Sequence, residues 1–237
     1  MSASYFMADL VSDTLSAKFV GEWTDAALFA PYQNQQALLN EYADCVAARA
    51  FLRMAELPIH LEERPNAEFM SPTGKGVRLS SGLTDAQRAD MFAHIALIEE
   101  VLKNAELYII WLEDSTYSEV TRRRYGSVYL WPLNQILPTL KRREVSRHLA
   151  ALGWKEKSLD AVADAVDSCF KSLSSKLAHN ECFMGDFPTE LDALAFGHLY
   201  TILTTELPNM DLANSMRKYP NLTDFCRRID QKYFTAN

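Results

Sequence analysis

The sequence predicts a mostly α-helical α+β protein, in which a short strand–helix–strand unit precedes an all-helical region. Apolar residues recur every three or four positions from Met91 to Leu112, as on one face of a long helix. Residues 188–203 are apolar on nearly all sides, as in a helix buried at the centre of a bundle. Residues 59–62 alternate apolar and polar side chains after a helical pattern, which predicts a strand.

The N-terminal part of the chain predicts one βαβ unit. Residues 26–29 can form a short strand that Pro31 ends, and residues 41–57 have a helical pattern that stops before Pro58. Two strands joined by a helix in this way are expected to be parallel, with a right-handed crossover. Residues 1–25 are weakly patterned, so we expect a partly ordered arm. The alternative is an arm that docks on a partner.

The first long helix of the bundle begins with a recognisable signal. Thr84 and Gln87 have the spacing of a capping box, in which each side chain bonds the backbone amide of the other residue. The apolar positions that follow are Met91, Ile95, Ile98, Leu102, Ala105, Ile109 and Leu112. Residues 113–121 lack such a pattern and predict a loop or a short turn.

Proline, glycine and serine mark the boundaries of the later helices. Pro132 marks a helix start, Pro138 should kink or interrupt that helix, and Gly153 should end it. Ser158 is a candidate N-cap for the next helix, and Pro220 opens the last one.

The helix at 188–203 is expected to be the centre of the fold. Pro188 disfavours helix before it, and Thr189 and Asp192 have the spacing of a second capping box. Small residues should let neighbouring helices approach closely; they are Ala193, Ala195 and Gly197.

Composition favours a protein of a reducing compartment that does not bind nucleic acid in bulk. The net charge is −7, and the isoelectric point is about 5.3. The four cysteines lack a CxxC pair and are expected to be buried free thiols. No apolar run reaches the roughly 20 residues that span a bilayer, and Asp9 and Asp13 are untypical of a mitochondrial presequence. We expect a protein on the cytosolic side, whose membrane contact comes through a partner or a surface.

Few side chains suggest site chemistry. His179 and Cys182 have a spacing that suits a metal, but no second ligand pair accompanies them, so an accidental pair is the preferred interpretation. His198 stands among apolar residues, as a core histidine with one hydrogen-bonded nitrogen would.

Two basic clusters could form one basic face. The first is Arg122, Arg123 and Arg124; the second is Lys141, Arg142, Arg143 and Arg147. A solvated surface is the ordinary explanation. The functional alternative is contact with an acidic partner or with anionic lipid headgroups.

Four stretches of the chain carry a family resemblance. They are 188–203 (PTELDALAFGHLYTIL), 125–134 (YGSVYLWPLN), 69–75 (FMSPTGK) and 225–229 (FCRRI). A Thr-x-x-Asp box that opens a buried helix in the last third of a chain resembles the C-terminal domain of the glutathione-transferase fold. The four stretches together resemble the metaxin family, and within it the metaxin 2 type.

The resemblance implies a glutathione-transferase-like fold in three parts: an arm at 1–25, a thioredoxin-like domain at 26–80 and an all-helical domain at 81–237. The sequence departs from that pattern in the second part. A thioredoxin-like domain continues with two more strands and a helix, whereas residues 71–75 here lead directly to 76–80. Because two strands alone make a marginal sheet, a domain that truly lacks this segment is expected to lean on the helical domain or on a partner chain.

The resemblance also implies a function. Metaxins lie on the cytosolic face of the mitochondrial outer membrane and act with the sorting and assembly machinery for β-barrel proteins. They also serve in a kinesin/Miro-type transport adaptor. A metaxin 2 type chain is held there by a tail-anchored paralogue of the metaxin 1 type. The implied role is a non-enzymatic, peripheral scaffold or adaptor without catalytic residues, cofactor or metal, whose site residues are the structural helix cap Thr189 and Asp192.

The alternative that the fold implies is a cytosolic glutathione transferase or a glutathione-binding relative. Such proteins place a Tyr, Ser or Cys near the end of the first strand, where it activates the glutathione thiol. Tyr32 stands near that place, and Cys45 lies inside the following helix. The segment that normally holds the glutathione backbone is the one missing here.

Overall fold

The computed structural model describes residues 26–32, 36–57, 59–63 and 79–235. Strands β1 (Ala26–Ala30) and β2 (Ile59–Glu63) pair in parallel, with Ala26 opposite Ile59, and helix α1 (Leu39–Met54) connects them. The predicted βαβ unit with parallel strands is therefore confirmed. The predicted arm at 1–25 and the junction at 64–78 lie outside the described residues, and a domain boundary at residue 80 stays a prediction.

Helices dominate the described chain after β2. A short 3₁₀ turn at Ser80–Gly82 precedes them. They are α2 (Asp85–Leu97), α3 (Lys103–Trp111), α4 (Asp114–Thr116), α5 (Arg122–Gly126), α6 (Leu133–Ala151), α7 (Leu159–Leu177), α8 (Glu190–Thr204), α9 (Asp211–Met216) and α10 (Pro220–Tyr233). The mostly helical α+β architecture is the one that the sequence predicts.

The long apolar stripe forms one rod, in which a π-helical turn at Ile98–Leu102 joins α2 to α3. The rod begins with the predicted capping box. The Thr84 amide donates to Gln87 Oε1 at 3.0 Å, and the Gln87 amide donates to Thr84 Oγ1 at 3.3 Å. Six of the seven predicted apolar positions are buried, and Leu112 at the end of the rod is half-buried.

The segment after this rod corrects a prediction. Residues 114–121 are helical, because α4 continues through a π-helical turn at Tyr117–Thr121 into α5. The sequence carries no usual start signal for α4, because its N-cap is a glutamate rather than one of the shorter residues that usually cap helices. Glu113 accepts from the amides of Ser115 at 2.9 Å and Thr116 at 2.7 Å. The Thr121 hydroxyl then donates to the buried carbonyl of Ile110 at 2.6 Å.

Helix α6 runs through Pro138 without ending. Proline has no N–H for the carbonyl four residues earlier, which belongs to Asn134. That carbonyl oxygen lies against Gly126 of α5, where an added Cβ would stand 2.7 Å from it. The glycine thus allows α5 to pack on α6 at the point where the proline frees the α6 backbone. Gly153, at φ +71°, follows the end of α6 as predicted.

Helix α8 is the centre of the core, as the sequence predicts. Eleven of its residues are buried, and α1, α2 and α10 pack around it. Gly197 lies directly against α1: a Cβ at this position would stand 2.5 Å from the Ala43 carbonyl oxygen and 2.5 Å from Ala47 Cβ. The small residues of α8 therefore let the backbone of α1 approach closely, and one apolar cluster includes side chains from both helices.

Candidate functional site

The start of α8 is tied to the loop before it by one carboxylate. Asp192 is fully buried; its Oδ1 accepts from the Phe183 amide at 2.8 Å and its Oδ2 from the Thr189 amide at 2.8 Å. The Thr189 hydroxyl donates to the same Oδ2 at 2.7 Å. Burial raises the pKa of the Asp192 carboxyl, and the hydrogen bonds from Thr189 and Phe183 offset part of that rise. The carboxylate thus fixes two backbone segments at once.

The neighbouring residue links α8 to the segment that enters the helical domain. Glu190 Oε1 accepts from the Leu79 amide at 3.0 Å, from the Ser80 amide at 3.3 Å and from the Ser80 hydroxyl at 3.1 Å. The first turn of α8 therefore holds the beginning of the 3₁₀ turn. Nothing in the sequence pattern predicts this contact, because the two segments are 110 residues apart.

A buried polar cluster joins three helices around His198. Its Nδ1 lies 2.8 Å from Glu106 Oε1 of α3, and its Nε2 lies 3.9 Å from Asp44 Oδ1 of α1. Lys103 Nζ is 3.5 Å from the same Asp44 oxygen. The predicted core histidine with one hydrogen-bonded nitrogen is confirmed, whereas its partner Glu106 was not foreseen.

Charge within this cluster decides the protonation of the imidazole. Burial alone would lower the pKa of His198, but the charge and hydrogen bond of Glu106, together with Asp44, outweigh burial and hold the pKa above its usual value. His198 and Glu106 are both fully buried, so the pair holds helices together and presents no atom to a substrate in solution.

Tyr32 and Cys45, the two candidates for glutathione chemistry, differ in their exposure to solvent. The side chain of Tyr32 is 39% exposed just after β1, so it can meet a ligand. Cys45 is buried in α1, and burial raises the pKa of its thiol to about 12. A thiol with that pKa stays protonated at neutral pH and is a poor nucleophile.

The other cysteines are also buried free thiols, as predicted. Burial raises the pKa of Cys169 and of Cys182 to about 12, and raises that of Cys226 as well. The exposed His179 lies near Cys182 in sequence, but in the described part of the chain no three His, Cys, Asp or Glu side chains gather as metal ligands.

The two basic clusters divide into structural and exposed members. Arg142 donates to the carbonyls of Trp111 at 2.8 Å and Leu112 at 3.2 Å, and it binds Asp114 at 2.6 Å. Arg124 donates to the Ala37 carbonyl at 3.2 Å. These two arginines therefore brace the fold. The exposed members are Arg122, which bonds Gln135, together with Arg123, Arg143 and Arg147.

Sequence reasoning missed a group of exposed apolar side chains beside the second basic cluster. They are Val128, Leu130, Trp131, Leu133, Ile136 and Leu140. The spacing of three and four between Leu133, Ile136 and Leu140 could have signalled one face of a helix. The face was overlooked because apolar stripes are ordinarily buried.

Comparisons with known proteins first define the class of this fold. Residues 166–229 match a family described as the C-terminal domain of glutathione S-transferase, and residues 75–142 match one described as an outer mitochondrial membrane transport complex protein. The helical part is thus a glutathione-transferase C-terminal-like domain.

Similarity to individual proteins then gives the family. The chain is 44% identical to Metaxin-2 of Homo sapiens over 234 residues, which cover 89% of each chain. It is 42% identical to a Metaxin-2 homolog of Caenorhabditis elegans over 228 residues, covering 86% of this chain and 99% of the relative. Metaxin-1 of Mus musculus is 32% identical over 222 residues, covering 81% of this chain and 70% of that protein. The chain belongs to the metaxin family.

The aligned lengths differ between this chain and the worm relative. The stretch aligned with the worm protein is 228 residues long, yet it takes in 86% of this 237-residue chain. The relative therefore contains positions without a counterpart here. The expectation of a domain without its later strands stays a prediction.

Proposed function

We propose that this protein is a non-enzymatic scaffold or adaptor subunit on the cytosolic face of the mitochondrial outer membrane. The observation that carries the proposal is the similarity to metaxin 2 relatives over most of the chain, together with the match to an outer-membrane transport family. Among the described helices, none combines the length and the hydropathy needed to cross a bilayer. Peripheral attachment through a tail-anchored paralogue of the metaxin 1 type accords with that finding.

The internal construction of the molecule suits a scaffold. Two titratable groups, His198 and Asp192, are fully buried: His198 joins helices to one another, and Asp192 ties α8 to the loop before it. Groups that are buried in this way stabilise the fold beneath the surface and do not contact a substrate in solution. We infer that the surface of the helical domain, held by α8, contacts the paralogue and the sorting and assembly machinery for β-barrel proteins. The same heterodimer would serve the kinesin/Miro-type transport adaptor.

The test is complex formation in solution. The purified chain is mixed with the cytosolic part of a metaxin 1 type paralogue, and the molar mass of the mixture is measured by light scattering after size-exclusion chromatography. A stoichiometric heterodimer supports the proposal. Two separate monomer peaks at concentrations well above the micromolar range would contradict it.

The second candidate is a glutathione-binding protein, and the exposure of Tyr32 beside β1 is the observation that favours it. Retention on immobilised glutathione, and its loss in Tyr32→Phe, would support this function over the scaffold. The scaffold proposal predicts no retention of either form.

A further inference from the structure

The exposed side of α6, which we call its outer face, carries apolar residues at its N-terminal end and basic residues at its C-terminal end. Leu133, Ile136, Leu140, Arg143 and Arg147 follow one another at spacings of three and four residues, so they lie on one side of the helix. All five are exposed. The buried residues of α6 lie on the opposite side; they are Pro138, Val145 and Leu149. The outer face is therefore apolar in its N-terminal half and basic in its C-terminal half.

The loop that leads into the apolar half of α6 carries two more exposed apolar side chains. Leu130 is 86% exposed and Trp131 is 80% exposed, the two highest values among the exposed large apolar side chains of the described residues. Together with Leu133, Ile136 and Leu140 they form what we call the α6 apolar end. An indole ring beside aliphatic side chains is typical of a surface that enters the boundary between lipid headgroups and acyl chains.

The basic half is available for an anionic ligand. Arg143 and Arg147 are both exposed, and the nearby Lys141 is engaged with Glu144 at 3.1 Å. Between Leu133 and Arg147 the helix rises roughly 20 Å. Apolar and basic ends of one helix face can thus touch one flat surface at the same time.

We propose that the α6 outer face, with Leu130 and Trp131, binds an anionic lipid surface directly. Leu130, Trp131 and Leu133 enter the headgroup boundary, while Arg143 and Arg147 contact lipid phosphates. This proposal rests on the proposed location at the outer membrane and adds a second attachment that does not depend on the paralogue.

The charge of the chain favours lipid over a protein partner as the ligand of the α6 outer face. The chain carries a net charge of −7, so an anionic membrane repels it in most orientations, and arginines on one helix face select the orientation that is attracted. The apolar end also protrudes: its two leading side chains are almost fully exposed on a loop. Protruding side chains can enter a fluid bilayer without requiring a matching pocket.

The experiment uses the purified full chain and protein-free vesicles, one set of phosphatidylcholine alone and one with about 30 mol% phosphatidylglycerol added. The chain should co-sediment with the anionic vesicles, less so with the neutral ones, and less at high salt. Because each arginine near such a surface contributes binding free energy, Arg143→Gln with Arg147→Gln should weaken partitioning by about tenfold or more. Leu130→Ser with Trp131→Ser should weaken it on both kinds of vesicle.

Matched controls separate this surface from general stickiness. Phe187→Ser removes an exposed apolar side chain elsewhere, and Lys155→Gln with Lys171→Gln removes two exposed charges elsewhere. Both controls should partition as the wild type does. The Trp131 ring should report insertion directly, through a blue-shifted emission that Trp131→Phe abolishes.

Two outcomes would overturn the proposal. The first is failure of the vesicle experiment: the wild-type chain does not partition to anionic vesicles, or the Arg143/Arg147 and Leu130/Trp131 variants partition as the control variants do. The other is normal vesicle binding by Leu130→Ser/Trp131→Ser combined with a lost complex with the paralogue, which would make this face a protein-docking surface. A failed heterodimer with intact vesicle binding would instead contradict the scaffold proposal alone.

Discussion

Asp192 is a buried carboxylate that accepts three hydrogen bonds, from the Phe183 amide, the Thr189 amide and the Thr189 hydroxyl. Its spacing from Thr189 could be recognised from the sequence, because a capping box is local. The bond to Phe183 could not, because it depends on how the preceding loop folds back. The residue is thus both a helix cap and a tertiary contact.

Replacing Asp192 with Ala should lower the free energy of unfolding by at least about 1 kcal/mol, because it removes the cap and leaves buried amides without acceptors. Urea denaturation measures the change. Asp186→Ala, which alters an exposed aspartate in the same loop, is the control and should leave the midpoint unchanged. If Asp192→Ala unfolds at the wild-type midpoint, the contacts of Asp192 do not stabilise the fold.

His198 and Glu106 make stability depend on pH. The pKa of His198 is raised in the folded state, so its contribution is fully present below the unfolded pKa of about 6.5 and is lost as pH rises through the higher folded pKa. Glu106→Gln removes the negative charge from this buried pair, so it should lower the free energy of unfolding by about 3–5 kcal/mol near pH 6. The unfolding free energy of Glu106→Gln should therefore differ most from wild type near pH 6, and the gap should narrow towards alkaline pH. A gap independent of pH would mean that His198 is neutral in the fold.

At the scale of elements, the packing of α1 on α8 depends on the absence of a side chain. Both helices bring small residues to their contact, and Gly197 faces the Ala43 carbonyl oxygen and Ala47. The small residues on α8 could be predicted to permit a close approach. The identity of the approaching helix could not, because α1 lies about 150 residues earlier and its own pattern gives no partner.

Gly197→Ala should destabilise the protein by about 1–3 kcal/mol or more, because the added methyl group meets backbone atoms that cannot rotate away. Thermal unfolding followed by circular dichroism measures the effect. Gly82→Ala is the matched control, since a Cβ there would come no closer than 3.9 Å to Phe187. Equal melting temperatures for the two variants would contradict the close packing of α1 on α8.

Helices α4 and α5 mark the limit of pattern-based prediction for elements. A helix capped by Glu113 and continued through π-helical geometry has neither the usual N-cap residue nor the usual periodicity. The strands, the α2–α3 rod and α8 could be predicted because their patterns are long or clearly bounded. The outer face of α6 could be predicted as a helix but not as an exposed surface, because burial depends on neighbours that the sequence does not specify.

At the scale of the whole molecule, the two strands of the described residues and the helix between them are supported by the helical domain. Helix α1 packs on α8, the Arg53 guanidinium lies 4.6 Å above the Phe234 ring, and Arg124 bonds the Ala37 carbonyl. These contacts hold the described strand–helix–strand unit on the helical domain, and the shortening of its sheet stays a prediction. One apolar core includes side chains from α1 and from the helical domain, and under the proposed function the outer surface of that domain contacts the partners.

The most direct measurement of the scaffold function is affinity purification of the tagged chain from mitochondrial outer membranes, combined with the assembly rate of newly imported β-barrel proteins after the chain is depleted. The account predicts that a tail-anchored metaxin paralogue and the sorting and assembly machinery co-purify, and that β-barrel assembly slows. A chain that purifies alone, with β-barrel assembly unaffected by its depletion, would contradict it.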